Sequence, residues 1–462
     1  MSRLQTDLGA LLAGEVEQLA RVVTRTFVAE GESGGDAGAG GGLETVELAV
    51  RTAMMGLDAA LLEGLLGGDA GYRGPRVDCP DGHPARFVGY RDKTLDTVLG
   101  RIRVRRAYYH CGQCHCGVVP RDASLGVAAT SASPGLTGMI ARAGAALPFA
   151  QAAGLIGDLA GVGVSAKRVE RSAETTGREL AEALDTENTA ILTRQVLPLP
   201  PRAPCPDKLY IAIDGTGVPM RPAETTGRAG KYPDGKARTR EVKLASLFAQ
   251  TRCDAKGFPL RDPDSTSYLA SFEPAGVFGR AVLAESRRRG AEHIRQLVVL
   301  GDGAAWIWNQ ATQRWPEATQ IVDIYHAREH LHEIVGLLAE SLGDDLETWK
   351  AARLAELDAG NITDMLTAIR KPLPRDGKCH ALDKALSYFE TNARLMDYAR
   401  FRRLGMFIGS GVVEAGCKAV IGQRLKLSGM RWTITGATGI TTLRCAHASP
   451  SGPAPHDHTI TA

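Results

Sequence analysis

Two stretches of this chain are apolar almost without interruption, and each ends in Asp-Gly: KLYIAIDG closes on Asp214, and IRQLVVLGDG closes on Asp302. A strand with no polar face has to be covered on both sides, so it belongs inside a sheet with other layers above and below. EVKLASLFAQTR, the stretch from Ser267 to Phe272 and TQIVDIYHA supply further strands, with the helical VFGRAVLAESRRRGA among them. Strands first, then helix and strand in alternation, predict a mixed α/β sheet. An ionised carboxylate at a buried strand end is costly unless a cation or a hydrogen-bond network meets it. Asp-Gly is also a common turn dipeptide, so either aspartate alone reads equally well as a turn. The pair is more informative, because two such strands in one sheet bring their ends together.

The remainder is organised around this sheet. LPLPPRAPCP, with five prolines in ten residues, marks a stiff linker over 197–207. Before it, residues 1–70 read as a helical region: a helix over 1–28, a joint in which seven of residues 31–42 are glycine, and a second helix over 43–66. Val46, Val50, Met54, Leu57, Leu61 and Leu65 fall three or four apart on one face of that second helix. Residues 71–125 read as a small β module around the basic strand TVLGRIRVRRAYYHC, and residues 126–196 as a helical region. Inside the latter, AQAAGLIGDLAGVGVSAKRVERSA reads helix, turn around Gly161 to Gly163, helix. That is either a helix-turn-helix, with Ser165 as N-cap and Lys167, Arg168 and Arg171 facing outward to DNA, or an ordinary helical hairpin. After the linker, 208–327 holds the first part of the core, 328–405 an all-helical insertion, 406–447 a final core helix and 448–462 a tail. Leu382, Leu386, Phe389, Ala393 and Met396 keep helical spacing within the insertion.

A third acid follows the insertion, in IGSGVVEAGCKAVIGQRLKLSGMRW. Glu414 stands near the start of an apparent helix, with Lys418 one turn later on the same face. From Lys418 to Arg431 there are four basic residues, Lys418, Arg424, Lys426 and Arg431, and no acid. Such a stripe beside a carboxylate suits a site that receives phosphates and metal ions together. Trp432, just past it, either stacks on an unpaired base or packs in the core. Phosphodiester cleavage needs a water or 3′-hydroxyl deprotonated and charge neutralised on the entering and leaving oxygens. Two Mg²⁺ (or Mn²⁺) ions about 3.5–4 Å apart do both, and Mg²⁺ favours carboxylate oxygens. Asp214, Asp302 and Glu414, from three separate elements, are the candidate ligands, and no covalent nucleophile is required.

The net charge of +3 over 462 residues is too small to argue for nucleic acid from the total. The clusters argue better: positions 86–106 hold seven Lys/Arg against two Asp, and 221–243 hold seven against three acids. Asp7, Glu15 and Glu17 interrupt any apolar leader, and no apolar run reaches the roughly 18 to 20 residues of a membrane span. A cytoplasmic, nucleoid-associated protein with no membrane partner is expected. Of nine cysteines, four crowd into positions 79–116, which in such a compartment favours metal ligation over disulfides.

At these residues the sequence resembles the ISKra-type transposases of bacterial insertion sequences, within the wider Mutator-like DDE group. The likeness runs from the cysteine cluster to about Cys445 and is most specific in YIAIDGTGVPMR, VVLGDGAAWIWN, IVDIYHAREHL and IGSGVVEAGCKAVIGQRLKLSGMRW. It implies an RNase H-like fold with a helical insertion, and Asp214, Asp302 and Glu414 as the metal-binding triad. Asp323 and His326 would be the group's Asp-x-x-His signature in a supporting role. It also implies strand cleavage and strand transfer on double-stranded DNA, both terminal inverted repeats and target, by a homo-oligomer that pairs the ends. The N-terminal cluster resembles the group's zinc-ribbon-like module. Cys111 and Cys114 make one knuckle with Cys116 close by, but Cys79 is followed by Pro80, Asp81, Gly82 and His83, so one cysteine is missing and the fourth ligand is either His83 or Cys116. The alternative is a ribbon of free thiols that has lost its zinc.

Two rival readings share the residues: an RNase H-like nuclease without strand transfer, and a transposase-derived DNA-binding protein without catalysis. A His-hydrophobic-His nuclease on His330 and His332 with Tyr325 is set aside, because residues two apart on a helix do not share a face. The chain's ending departs from the group. PSGPAPHDHTITA lacks apolar periodicity, so a disordered tail is expected from about Ser449, with nothing after Cys445 to anchor the Glu414 helix and a lowered activity in consequence.

Overall fold

The computed structural model describes residue 21 and residues 43–196, 206–230, 232–371 and 380–450. The expected helix over 1–28 (residue 21 apart), the glycine joint, the proline run over 197–205 and the chain beyond Pro450 lie outside the described residues. Two units are present, residues 1–68 and 69–462. In the first, α1 (Leu43–Gly67) is the helix its spacing predicts, but Val46, Met54, Leu57, Leu61 and Leu65 on its apolar face stand exposed.

The second unit opens with an antiparallel sheet, β1 (Arg76–Asp78), β2 (Pro84–Thr97), β3 (Gly100–Cys111) and β4 (Gly117–Val118), in that order. Strand β3 alternates: Ile102 and Val104 are buried while Arg101, Arg103 and Arg105 point to water, the period of two of a half-buried strand. The short α2 (Pro120–Ser124) follows, and its Asp122 takes Lys93 and Arg106 from the hairpin at 3.2 and 2.6 Å. Next come α3 (Pro134–Ala146), α4 (Phe149–Ala160) and α5 (Ala166–Leu192). Gly161 ends α4 in the left-handed conformation, and the Ser165 hydroxyl accepts from the Arg168 amide to start α5.

The sheet core runs β5 (Lys208–Pro219), β6 (Thr239–Gln250), the ribbon β7 (Arg252–Cys253) with β8 (Pro259–Leu260), and β9 (Ser267–Ser271). It continues with α6 (Ala275–Arg288), β10 (Gln296–Gly301), α7 (Ala305–Arg314) and β11 (Thr319–Val322). The five strands lie in the order β11-β10-β5-β6-β9; β6 and β9 are antiparallel neighbours, while β10 and β11 run parallel to β5. Both faces are covered, as the unbroken apolar strands require. Ile211 and Ile213 pack with Phe278, Val282, Ile307 and Trp315 of the α6–α7 side. Tyr210 and Ala212 pack on the other face with the remaining helices.

Between β11 and Gly411 every described element is helical: α8 (Ile324–Leu342), α9 (Leu346–Ala359), α10 (Ile362–Arg370), α11 (His380–Asn392), α12 (Tyr398–Arg403) and short 3-10 turns. The last segment is α13 (Gly411–Gly416), a π turn over Cys417–Gly422, α14 (Gln423–Leu425) and α15 (Ile434–Ala448). None of the described helices is long and apolar enough to cross a membrane.

The second helix of the helix-turn-helix or hairpin, α5, spans 27 residues and buries Val169, Ala173, Gly177 and Leu180 on one face, with Lys167 and Arg171 exposed near its start. One expectation is corrected at the end of α15: the chain from Ala446 to Ser449 does pack. Ser449 is buried, accepts from the Tyr268 amide of β9 at 2.9 Å and donates to the Cys445 carbonyl at 2.7 Å. The α5–α15 crossing is the tightest of these contacts: a Cβ on Gly177 would fall 2.0 Å from the Gly439 carbonyl oxygen. Since that neighbour is backbone, Gly177→Ala should cost about 3 kcal/mol of stability, measurable by urea denaturation.

Candidate active site

The strand register places three carboxylates side by side. In the β10–β5 pairing Leu300 faces Ala212, and two residues further along both strands stand Asp302 and Asp214. In the β10–β11 pairing Gly301 faces Val322, and the next residues are Asp302 and Asp323. Asp214, Asp302 and Asp323 therefore form one row at the same level of three neighbouring parallel strands; Asp302 and Asp323 follow the last residues of β10 and β11, whereas β5 runs on past Asp214, paired with β6, to Pro219, so the expected strand end at Asp214 is corrected.

Each aspartate is held differently. The Asp214 carboxylate accepts from the Gly215 amide at 2.6 Å and from the Cys417 thiol. Burial, with the Asp302 charge adding to it, holds the Asp214 carboxyl above the usual range against the pull of those donors and of His326. Asp302 accepts from the Ala304 amide at 2.9 Å, and its own carbonyl takes the Tyr388 hydroxyl at 2.9 Å. Gly303 makes this turn at φ +101°, where a Cβ would also meet the Tyr388 ring at 2.5 Å. Asp323 is wholly buried; it caps α8 by accepting from the Tyr325 amide at 2.6 Å, and its other oxygen accepts from both the amide (2.8 Å) and the hydroxyl of Ser410.

Ser410 connects this row to the third acid. It precedes α13 at the N-cap position, yet its hydroxyl makes no capping bond. Instead the hydroxyl lies between Asp323 and the Glu414 carboxylate, 2.9 Å from Glu414 Oε1. Asp323, His326 and Glu414 bring ligand atoms within 4.8 Å of one another, and the His326 ring is steadied by Glu329 at 3.2 Å. The Ile324 amide bonds the Ile408 carbonyl at 3.0 Å, so the approach to α13 is pinned to the start of α8. Gly416 lets α13 lie directly on the sheet, where a Cβ would meet Tyr268 at 2.6 Å. The π turn that follows places Cys417 against Asp214; burial and that carboxylate push the thiol well up, so it remains a proton donor.

The basic stripe separates into two kinds of residue. Lys418, Lys426 and Arg431 are exposed, and Lys426 donates to the Thr216 hydroxyl beside the acid row. Arg424, expected to touch DNA, is fully buried. Its guanidinium donates to the Gly144 carbonyl at 3.1 Å and stacks over Phe149 and Trp432 at 4.7 and 5.0 Å. Burial and nearby Arg444 lower it to about 10. Trp432 is buried as well, with its indole N–H on the Leu425 carbonyl at 3.0 Å, so neither residue is a DNA contact. Arg168 is also committed internally, to Asp96 of β2, whereas Lys167, 2.9 Å from Glu170, and Arg171 remain exposed. His330 packs its ring 3.9 Å from Tyr388 while His332 points to water, so the pair shares no site.

A second cluster lies in the β1–β4 module. Cys79, His83, Cys111 and Cys114 bring their ligand atoms within 4.8 Å of one another, and Cys116 stands outside the group. Cys114 Sγ is 3.4 Å from Cys79 Sγ, 3.5 Å from Cys111 Sγ and 2.9 Å from His83 Nδ1. The amides of Cys114 and Gln113 turn toward Cys111 and hold its thiol below the ordinary range. Three sulfurs and a nitrogen at these separations suit tetrahedral zinc, whose ligands stand about 2.0–2.3 Å from the ion.

No family model matches the chain, and no curated protein matches it. Among solved structures, a Drosophila P element transposase strand transfer complex is similar over 53% of this chain and 78% of that one, at 10% identity and a TM-score of 0.27.

Proposed function

We propose that this chain is a DDE-type DNA transposase, cutting and joining DNA strands at the row of acids. The observation that carries the reading is the row itself: Asp214 within β5 and Asp302 just past β10 at one level of the sheet, with Glu414 tied to the neighbouring Asp323 through the Ser410 hydroxyl. Three antiparallel strands followed by two parallel ones, covered by helices on both faces, support an RNase H-like core. The donor set is hard carboxylate oxygen, partly buried and, among the described residues, without an ion-paired lysine or arginine, which fits Mg²⁺ or Mn²⁺. Asp214, Asp302 and Glu414 would hold two such ions, which activate the attacking hydroxyl and neutralise charge on the leaving oxygen. Asp323 accepts three hydrogen bonds from its own surroundings, so it positions Ser410 and Glu414 and is not itself a ligand. His326 lies beside Glu414 and narrows the site. In the β module, Cys79, His83, Cys111 and Cys114 would hold one structural zinc. The substrate on this reading is double-stranded DNA, the element's terminal inverted repeats and a target, with the chain acting as a homo-oligomer on paired ends.

The test is a labelled duplex carrying the DNA that flanks this reading frame, incubated with purified protein, Mg²⁺ or Mn²⁺ and a supercoiled plasmid. Cleavage at the repeat followed by covalent joining to the plasmid is expected. Cleavage without joining makes the protein a nuclease, and binding with no cleavage in either metal makes it a DNA-binding relative without catalysis. Ser410 gives a finer check. Outer-shell partners of metal ligands typically carry about 10–100-fold, so Ser410→Ala should lower kcat by that order with KM little changed. Ser410→Thr, which keeps the hydroxyl, should recover most of the rate.

A further inference from the structure

Two basic segments far apart in sequence meet beside the acid row. The Arg221 amide bonds the Trp432 carbonyl at 2.8 Å, and the Trp432 amide bonds the Pro219 carbonyl at 3.1 Å. This stitches the end of β5 and the loop after it to the segment that follows α14. Between them lies a cavity of about 970 Å³. Arg228, Lys236, Arg238, Lys426 and Arg431 line it, against one acid, Asp234, which Arg238 already neutralises at 3.1 Å. Arg228, Lys236 and Arg431 have no carboxylate partner among the described residues, so the hollow holds an uncompensated positive charge. Its floor is apolar, with Met220 buried and Met430 half-buried beneath the rim. Tyr232, 40% exposed, offers an aromatic ring there, with the Arg238 guanidinium 4.4 Å from the ring centroid. Lys426, through its bond to Thr216, stands both on the cavity rim and two residues along β5 from Asp214.

Cations around an apolar floor with one accessible ring are what unpaired nucleotides require: phosphates on the rim, a base on the aromatic face. The volume lies within the range of pockets that enclose a small ligand, the size of a few nucleotides rather than of a long duplex tract. We propose that this cavity binds single-stranded DNA, specifically the strand end that leads away from the acid row. The identity of that strand rests on the transposase reading above; the binding itself does not.

The test uses the full chain in the chemically silent Asp214→Asn background, without added divalent metal. The probe is a fluorescein-labelled 12-nucleotide single strand, titrated at several KCl concentrations. Each phosphate contact on a single strand contributes about 0.7 to the slope of log K against log salt. Arg228→Ala with Lys236→Ala should therefore flatten the slope by about 1.4, a change that partial unfolding does not mimic. Tyr232→Ala should weaken binding about tenfold, and a 5-iododeoxyuridine in the probe should crosslink to Tyr232 on irradiation. An unchanged slope, or crosslinks that map away from residues 220–239 and 426–431, overturns the proposal even where the acid row cleaves DNA. An equal loss on a 12-base-pair duplex of the same sequence overturns the single-strand assignment. Conversely, an inactive acid row with the slope flattened as stated leaves the cavity assigned and removes only the transposase reading.

Discussion

Asp214→Asn should lower DNA strand cleavage by about a thousandfold or more, because a metal-bound carboxylate carries several kcal/mol of transition-state stabilisation and each 1.36 kcal/mol is tenfold. Duplex binding should barely change, since the affinity of DNA sites comes from cations contacting phosphates. Fold stability should not fall either, and this distinguishes the residue from a structural one. Asp214 lies beside Asp302 in the register, and burial already disfavours its charge. Asparagine keeps the shape and removes the repulsion, so the metal-free variant should melt at or above the wild-type temperature. Added Mg²⁺ should then stabilise the wild type and leave the variant unmoved, because an ion stabilises only the state that binds it. A variant that melts well below the wild type would mark Asp214 as a packing residue whose loss of activity is indirect.

The second large effect belongs to the β1–β4 module. Around the four ligands the core is small, Cys79, Ala85, Ala107, Tyr109 and Cys111 with a few neighbours, while Leu95, Ile102 and Val104 are buried further along the hairpin, so burial alone does little to hold the cysteine end of the module. Structural zinc contributes an apparent 10–16 kcal/mol or so in small domains, so Cys114→Ala, which removes the sulfur closest to all three other ligands, should unfold this module. Metal analysis should find about one zinc per wild-type chain and almost none in the variant. Hydrogen exchange should rise sharply across β2 and β3 while β5 and β6 stay protected. The Asp96–Arg168 and Asp122–Arg106 pairs also tie the module down. Should those contacts suffice, exchange in β2 and β3 would be unchanged and the structural role of the zinc would be wrong; a metal-free wild type would overturn the zinc assignment itself.

How far the sequence foretold this site depends on where each residue's partners lie. Asp214 and Asp302 stood out because an apolar run that meets an acid is a local signal; that β5 continues to Pro219, and that β5 and β10 pair in parallel with these residues at one level, comes from the fold. Asp323 carried a weaker sign, and only the β10–β11 pairing puts it in the row. Ser410 was silent: by local rules it is an N-cap, and the carboxylate it serves lies 87 residues away in the chain. Cys417 reaches Asp214 from the π turn of Cys417–Gly422, a geometry that a uniform helical wheel does not describe. Arg424 was misread for the opposite reason. A basic stripe in sequence suggests a surface, but two aromatic faces and a carbonyl can bury a guanidinium, and Phe149 and Gly144 are nearly three hundred residues upstream. A separation of 181 residues likewise hid Ser449, whose partner is in β9.

Asp214, Asp302 and Glu414 should bind divalent metal as one unit, and Mn²⁺ binding followed by electron paramagnetic resonance reads this out. Mn²⁺ prefers carboxylate oxygen and leaves a thiolate-rich zinc site alone, so the two clusters do not confuse the titration. Wild-type protein should bind about two Mn²⁺ per chain, with the broadened signal of two ions close together. Asp302→Asn and Glu414→Gln should each lose at least one ion and the broadening. Retention of both ions in either variant, or no binding above that of a surface carboxylate, would contradict the account.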